Sequence, residues 1–263
     1  MQPSIGFVTQ QVMSFEEALS TATDGAFDYI EVLMDGQFHR SELASRATAI
    51  DRQLTQRGLD AMVHLPFPID LGSPHEHHRE GGIEELGACL DAAAALGAEK
   101  AVVHPDGTAW TAAWDHETVR PLVCDSLSRL HDRADDRGIE LCAENLFDSP
   151  HTIDDMPALL DATPVSMTLD TGHARVSGYD ASDTAAFVRD HADRVRHVHL
   201  NDTRRPADEH LPFGAGTIDF GEILGAFPDG WDGTLSLEIF TPSPSYVVES
   251  KDRLETVLAD IGA

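Results

Sequence analysis

Lysine is nearly missing from this chain. Of 18 basic residues only Lys100 and Lys251 are lysines, against 46 Asp and Glu, for a formal net charge of −28. Tight DNA binding needs a basic footprint, so this balance speaks against a nucleic-acid partner. The acids run through helical segments such as DRADDRG, DHADR and SFEEALSTATD rather than forming a tail. A solvated acidic surface of this kind suits high salt, where a Debye length of about 3 Å at 1 M suppresses self-repulsion, and a halophilic protein is expected. Cysteine is also sparse. Cys89, Cys124 and Cys142 form no CxxC pair, which argues against a disulfide framework and fits a reducing cytoplasm. No apolar run approaches the roughly 18–20 residues that span a bilayer. The opening residues, MQPSIGFVTQQV, lack the basic-then-apolar pattern of a secretory signal. No GxGxxG follows the first apolar run, so the signature of a dinucleotide-binding open sheet is missing.

What is present is an alternation. Short β-rich runs fall at 4–9, 29–34, 61–66, 100–105, 140–145, 166–171, 195–201 and 234–240, with amphipathic helical patterns between them, as at 41–57, 80–97, 115–137 and 245–261. Eight βα units in 263 residues without a long linker predict one α/β domain over 1–263, a parallel eight-stranded (β/α)8 TIM barrel. Hydrophobic residues make up 41%, enough for a sizeable core.

The strand ends carry the chemistry. In order they offer Glu31, His64, His104, Glu144, Asp170, His199 and Glu238. In a barrel these ends converge on one mouth, where active sites are built. Strand alternation then puts Met62, Val102, Cys142, Thr168, His197 and Ser236 one layer below, with His197 read as a satisfied buried histidine rather than a ligand. A lone strand-end acid or histidine is usually a hydrogen-bonded rim group. Seven together form a costly cluster of like charges, which divalent ions relieve, and the N/O donor set suits Zn²⁺ or Mn²⁺. Two loop motifs add donors. LDTGHA (169–174) places Asp170 and His173 on one tight turn, and the loop 201–216 carries Asp208 and His210 two residues apart.

These motifs resemble, in order and over essentially the whole chain, the xylose isomerase-like, or family 2 AP endonuclease, barrel superfamily. In its endonuclease IV branch a trinuclear zinc site has nine ligands. The resemblance assigns those roles to His64, His104, Glu144, Asp170, His173, His199, Asp208, His210 and Glu238. In the sugar isomerase and epimerase branch the core shrinks to Glu144, Asp170, His199 and Glu238 around one ion.

The resemblance thus implies one to three divalent ions and either of two reactions. In the first and favoured one, a sugar, sugar phosphate or polyol is isomerised or epimerised. Glu144 and Glu238, on roughly opposite sides of the mouth, shuttle the proton, and His173 with Arg204 or Arg205 orients oxygens or a phosphate. FDYIEVLMDG (27–36), with Glu31, and DEHLPFGAGTIDF (208–220) match that branch in style. In the second, Glu144 bridges two ions in phosphodiester hydrolysis, in the manner of an AP endonuclease of DNA repair or of another phosphoester hydrolase. The −28 charge and a strand-two loop whose one fixed cation is Arg40 count against DNA as its substrate. A non-catalytic metal-stabilised binding protein is the remaining class. Glu31, Arg204, Arg205, Trp110 and Phe67 are the candidate substrate contacts. A homo-oligomer is compatible with the superfamily.

Overall fold

In the computed structural model, which describes residues 1–262, eight strands close into a parallel barrel in sequence order, with β1 also paired to β8. The strands are β1 (Ser4–Val8), β2 (Tyr29–Leu33), β3 (Asp60–His64), β4 (Ala98–Val103), β5 (Glu140–Glu144), β6 (Ser166–Asp170), β7 (Val195–Leu200) and β8 (Thr234–Leu237). Each lies within about two residues of its expected position, except that β8 stops three residues early, leaving Glu238 just beyond it. His104 likewise follows β4 directly.

The helices are α1 (Phe15–Asp24), α2 (Arg40–Thr55), α3 (Glu76–Ala95), α4 (His116–Asp135), α5 (Met156–Ala162), α6 (Thr171–Val176), α7 (Ala181–His191), α8 (Phe220–Leu224) and α9 (Ser245–Asp260). Local chemistry sets their starts. At α1, Ser14 Oγ accepts from Glu17 N at 3.2 Å while Glu17 Oε2 accepts from Ser14 N at 2.9 Å, a reciprocal cap. At α4, Asp115 accepts from Thr118 N. The third helix was expected over about 80–97. Instead α3 opens one turn earlier, His75 occupies the cap position, and Ser73 is buried.

Period-two alternation sorts the strand residues between two environments. Val63, Ala101, Val103, Leu141, Ala143, Met167, Leu169, Val198, Leu200, Leu235 and Leu237 join the core beneath the helices. Met62, Val102, Cys142, Thr168, His197 and Ser236, expected in the barrel interior, are all buried but lie outside that apolar cluster. Strand register then sets the polar residues side by side: Glu144 pairs with Thr168, Asp170 with His199, and His199 with Ser236. Among the described residues no helix is long and apolar enough to cross a membrane.

Candidate metal centre

The nine residues expected as metal ligands all come together at the C-terminal end of the barrel; beside an overlapping group of His64, His199 and Glu238, three groups whose donor atoms lie within 4.8 Å of one another cover all nine. One is His64, His104 and Glu144. The second is Glu144, Asp170, His199 and Glu238. The third is His173, Asp208 and His210. Glu144 belongs to two of them. Its Oε1 lies 3.3 Å from both His199 Nδ1 and His173 Nδ1, and its Oε2 lies 3.2 Å from His104 Nε2 and 3.4 Å from His64 Nε2.

The outer contacts of these side chains are already committed. His64 Nδ1 lies 2.8 Å from the Leu65 carbonyl, His173 Nδ1 3.0 Å from that of Asn145, and His210 Nδ1 3.2 Å from that of Glu238. A ring nitrogen against a carbonyl must carry the proton, so in a neutral ring Nε2 is bare and points at a carboxylate. Two lone pairs facing each other repel unless a proton or a metal ion stands between them. Glu144 Oε2 and Glu238 Oε2 make the same point, being buried atoms that accept no properly directed hydrogen bond. The donor set, the orphaned oxygens and the committed outer nitrogens together fit divalent ions.

Without ions, protons hold the cluster together. Burial alone would raise the Glu144 carboxyl, but His199, His104 and His173 keep it well below the usual carboxylate range. Glu238 is likewise drawn down against its burial, by His199 and His210, to about 2. Burial pushes Asp170 up to about 7, with Glu144 and Glu238 adding to the rise. Burial would depress His173 and His210. The carboxylates around them, chiefly Asp170 for His173 and Glu238 for His210, instead lift them to about 10 and about 9.

Backbone geometry serves the same end. Asp170 caps α6 by accepting from His173 N at 2.6 Å, which ties two donors to one turn. A Cβ on Gly172 in that turn would come within 1.9 Å of Asn201 Oδ1, so the close approach demands glycine. His210 sits at φ +45°, a strained position for a side-chain-bearing residue and one often found at functional sites.

The cavity in front of the centre has a volume of about 530 Å³. Phe67 lines it 5.4 Å from the His104 ring, Phe147 lies 5.0 Å from His173, and Phe240 stacks on His210 at 4.1 Å. No lysine or arginine lines it among the described residues. Of the expected substrate contacts, only Phe67 is brought there. Trp110 is 75% exposed and outside the cavity, because its loop turns the neighbouring Ala109 and Thr111 inward instead. Arg204 and Arg205 are exposed, and both lean on Glu209 rather than the cavity. Arg40 is held by Glu85. Glu31 is fully buried behind His199 and touches no cavity surface. Glu144 at the end of β5 and Glu238 just after β8 reach one group from strands three apart around the barrel.

Sequence reasoning passed over Asn145 and Asn201. Asn145 accepts from Asp170 N at 2.8 Å, and Asn201 donates to Asp170 Oδ2 at 2.7 Å. Their signal was position: one directly follows a strand-end donor, the other stands two residues after one. Phe147 and Phe240, on loops, carried no such signal.

Three likenesses set the chain among known proteins. It is 26% identical over 247 residues to an uncharacterized protein of Methanocaldococcus jannaschii, covering 89% of this chain and 81% of that one. It is 27% identical over 180 residues to a probable endonuclease 4 of Enterococcus faecalis, covering 62% of this chain and 60% of that one. A crystal structure of a D-tagatose 3-epimerase-like protein superposes with a TM-score of 0.83 at 23% identity, covering 98% of each chain. The xylose isomerase-like TIM barrel family matches residues 19–257, and the chain belongs to that family.

Proposed function

We propose that this chain is a divalent-metal phosphoester hydrolase working at a three-ion centre on a small substrate. The observation that carries the reading is the set of five donors beyond the four-residue core. His64 and His104 build one further group on Glu144, and His173, Asp208 and His210 build another. A one-ion isomerase site has no need of either. Charge points the same way. Four carboxylates, Glu144, Asp170, Asp208 and Glu238, would leave three divalent ions with a surplus of two positive charges, whereas with a single ion protons on His173 and His210 only balance the carboxylates left over. Only the surplus attracts a phosphodiester into a cavity with no lysine or arginine of its own.

Bound divalent ions supply Lewis acidity to the phosphoryl oxygens and lower the pKa of water. The chain's own residues do the rest. Glu144, reaching two groups through its two oxygens, fixes their spacing. Asn145 and Asn201 hold Asp170 in place from behind. Phe67 and Phe240 narrow the approach and shed water from the ester. The −28 charge and the engagement of Arg204 and Arg205 by Glu209 disfavour a polynucleotide backbone, so a small ester is the better fit than duplex DNA.

A second reading, sugar isomerisation or epimerisation, is favoured by one observation. Glu144, Asp170, His199 and Glu238 form a complete group by themselves, with two glutamates close enough to act on one substrate. The two readings separate in a paired assay of zinc- and manganese-loaded protein. The first predicts nitrophenolate release from bis(p-nitrophenyl) phosphate and no deuterium uptake by ketohexoses in D₂O. Deuterium uptake without ester cleavage would reverse the order.

A further inference from the structure

We propose that Glu31, with a chain of donors running to the floor of the barrel behind it, is a positioning residue that fixes which nitrogen His199 offers to the centre. The inference rests on the metal reading of the His199 group and not on which reaction follows.

Lys100 Nζ donates to the Arg196 carbonyl at 2.8 Å and to Thr234 Oγ1 at 3.2 Å. The Thr234 hydroxyl is 2.7 Å from His197 Nδ1, but 3.4 Å from the Arg196 carbonyl that Lys100 already serves. Because the Glu31 carboxylate facing His197 Nε2 can only accept, Nε2 carries the proton of the neutral ring and donates to Glu31 Oε2 at 3.1 Å. The Thr234 hydroxyl then donates to Nδ1 over the shorter of its two contacts. Ser236 donates to that same oxygen and accepts from the Tyr29 hydroxyl at 2.9 Å. Glu31 Oε1 accepts the Nε2–H of His199 at 3.1 Å.

Glu31, His197, His199 and Ser236 are each 0% exposed, so bulk water does not reach them and their partners must come from within the barrel. A buried carboxylate survives only where donors surround it, and Glu31 has three. With an ion bound at the centre, this arrangement gives Glu31 its three donors and leaves both imidazoles neutral. It leaves His199 one bare nitrogen, Nδ1, lying 3.2 Å from Glu238 Oε2 and 3.3 Å from Glu144 Oε1. Glu31, His197 and His199 are themselves close enough to hold an ion. An ion there would have to expel two of these bridging protons, so the trio serves as support.

Replacing the carboxylate with an amide removes the obligatory acceptor. A glutamine can turn its NH₂ toward His199 Nε2, which then accepts, and Nδ1 takes the proton and can no longer bind metal. The test is Glu31→Gln, read by zinc-chelator competition and by ring ¹⁵N–¹H NMR of the zinc-loaded protein. We expect one bound zinc to weaken by about 10–100-fold, as loss of such outer partners does, while the other ions are held as before. Thr234→Val, which leaves Glu31 intact, should give a smaller loss. Wild-type spectra should show protons on Nε2 of both His197 and His199, a pattern that needs no variant to fold. Protonation of His199 on Nδ1, or wild-type zinc affinity in Glu31→Gln, would overturn the proposal. Wild-type protein that binds no zinc at all would instead refute the metal reading beneath it.

Discussion

Glu144, Asp170, His199 and Glu238 stand at the ends of four neighbouring strands, buried, each held by partners on rigid elements. Asp208 and His210 hang on the loop after β7, with Asp208 exposed and His210 in a left-handed backbone conformation. Both sets supply oxygen and nitrogen donors, yet they were made in different ways. The strand-borne set is preorganised by register, and its cost was met when the barrel closed. The loop-borne set depends on a local path that folding could relax. A preorganised site binds more tightly for the same ligands, so the inner ions should be retained and the outer one should exchange.

The largest blow to this contrast is Glu144→Ala, which removes the residue common to two groups. It should cost at least about 100-fold in ester hydrolysis, since even outer partners of ligands cost 10–100-fold. Elemental analysis should find at least one ion fewer per chain. Next comes Gly172→Ala. Its methyl would strike Asn201 and through it Asp170. The overpacking should destabilise the fold by roughly 1–3 kcal/mol in thermal unfolding and loosen the inner group. Asp208→Asn should be milder, stripping only the loop-borne ion at lower chelator concentration and leaving stability unchanged.

pH sharpens the comparison further. His173 and His210 are raised to about 10 and about 9 from an ordinary 6.5. Groups raised in the folded state add stability that is full below about 6.5 and lost as pH climbs through 9–10. Metal-free protein should therefore lose Tm between about pH 7 and 10. Metal-loaded protein should hold or gain Tm over the same range, because ions displace those protons. The smallest effect concerns the surface: unfolding midpoints should rise from about 0.1 M to above 1 M salt as the −28 charge is screened.

The same contrast explains what could be read from the sequence. A strand has a period of two and a fixed direction, so knowing that His199 ends β7 also places His197 below it and Asp170 beside it. That is why the barrel and the gathering of the strand-end donors were legible, whereas His173, Asp208 and His210 came from loop motifs and the family resemblance. Loops obey no such period. Nothing in RRPADEH says that Glu209 captures Arg204 and Arg205 while Asp208 reaches His210, and nothing near Trp110 says that its ring faces water. Glu31 failed for a third reason. Its strand position was clear, but its partners His197 and Ser236 lie about 170 and 200 residues away, and only the closed barrel brings them to it.

The most direct test of the three-ion account is a zinc titration of chelator-stripped protein with elemental analysis of the loaded chain. The account predicts saturation at three ions, the last of them the weakest and the first lost on rechelation. Saturation at one ion, insensitive to Asp208→Asn and to His104→Ala, would contradict it.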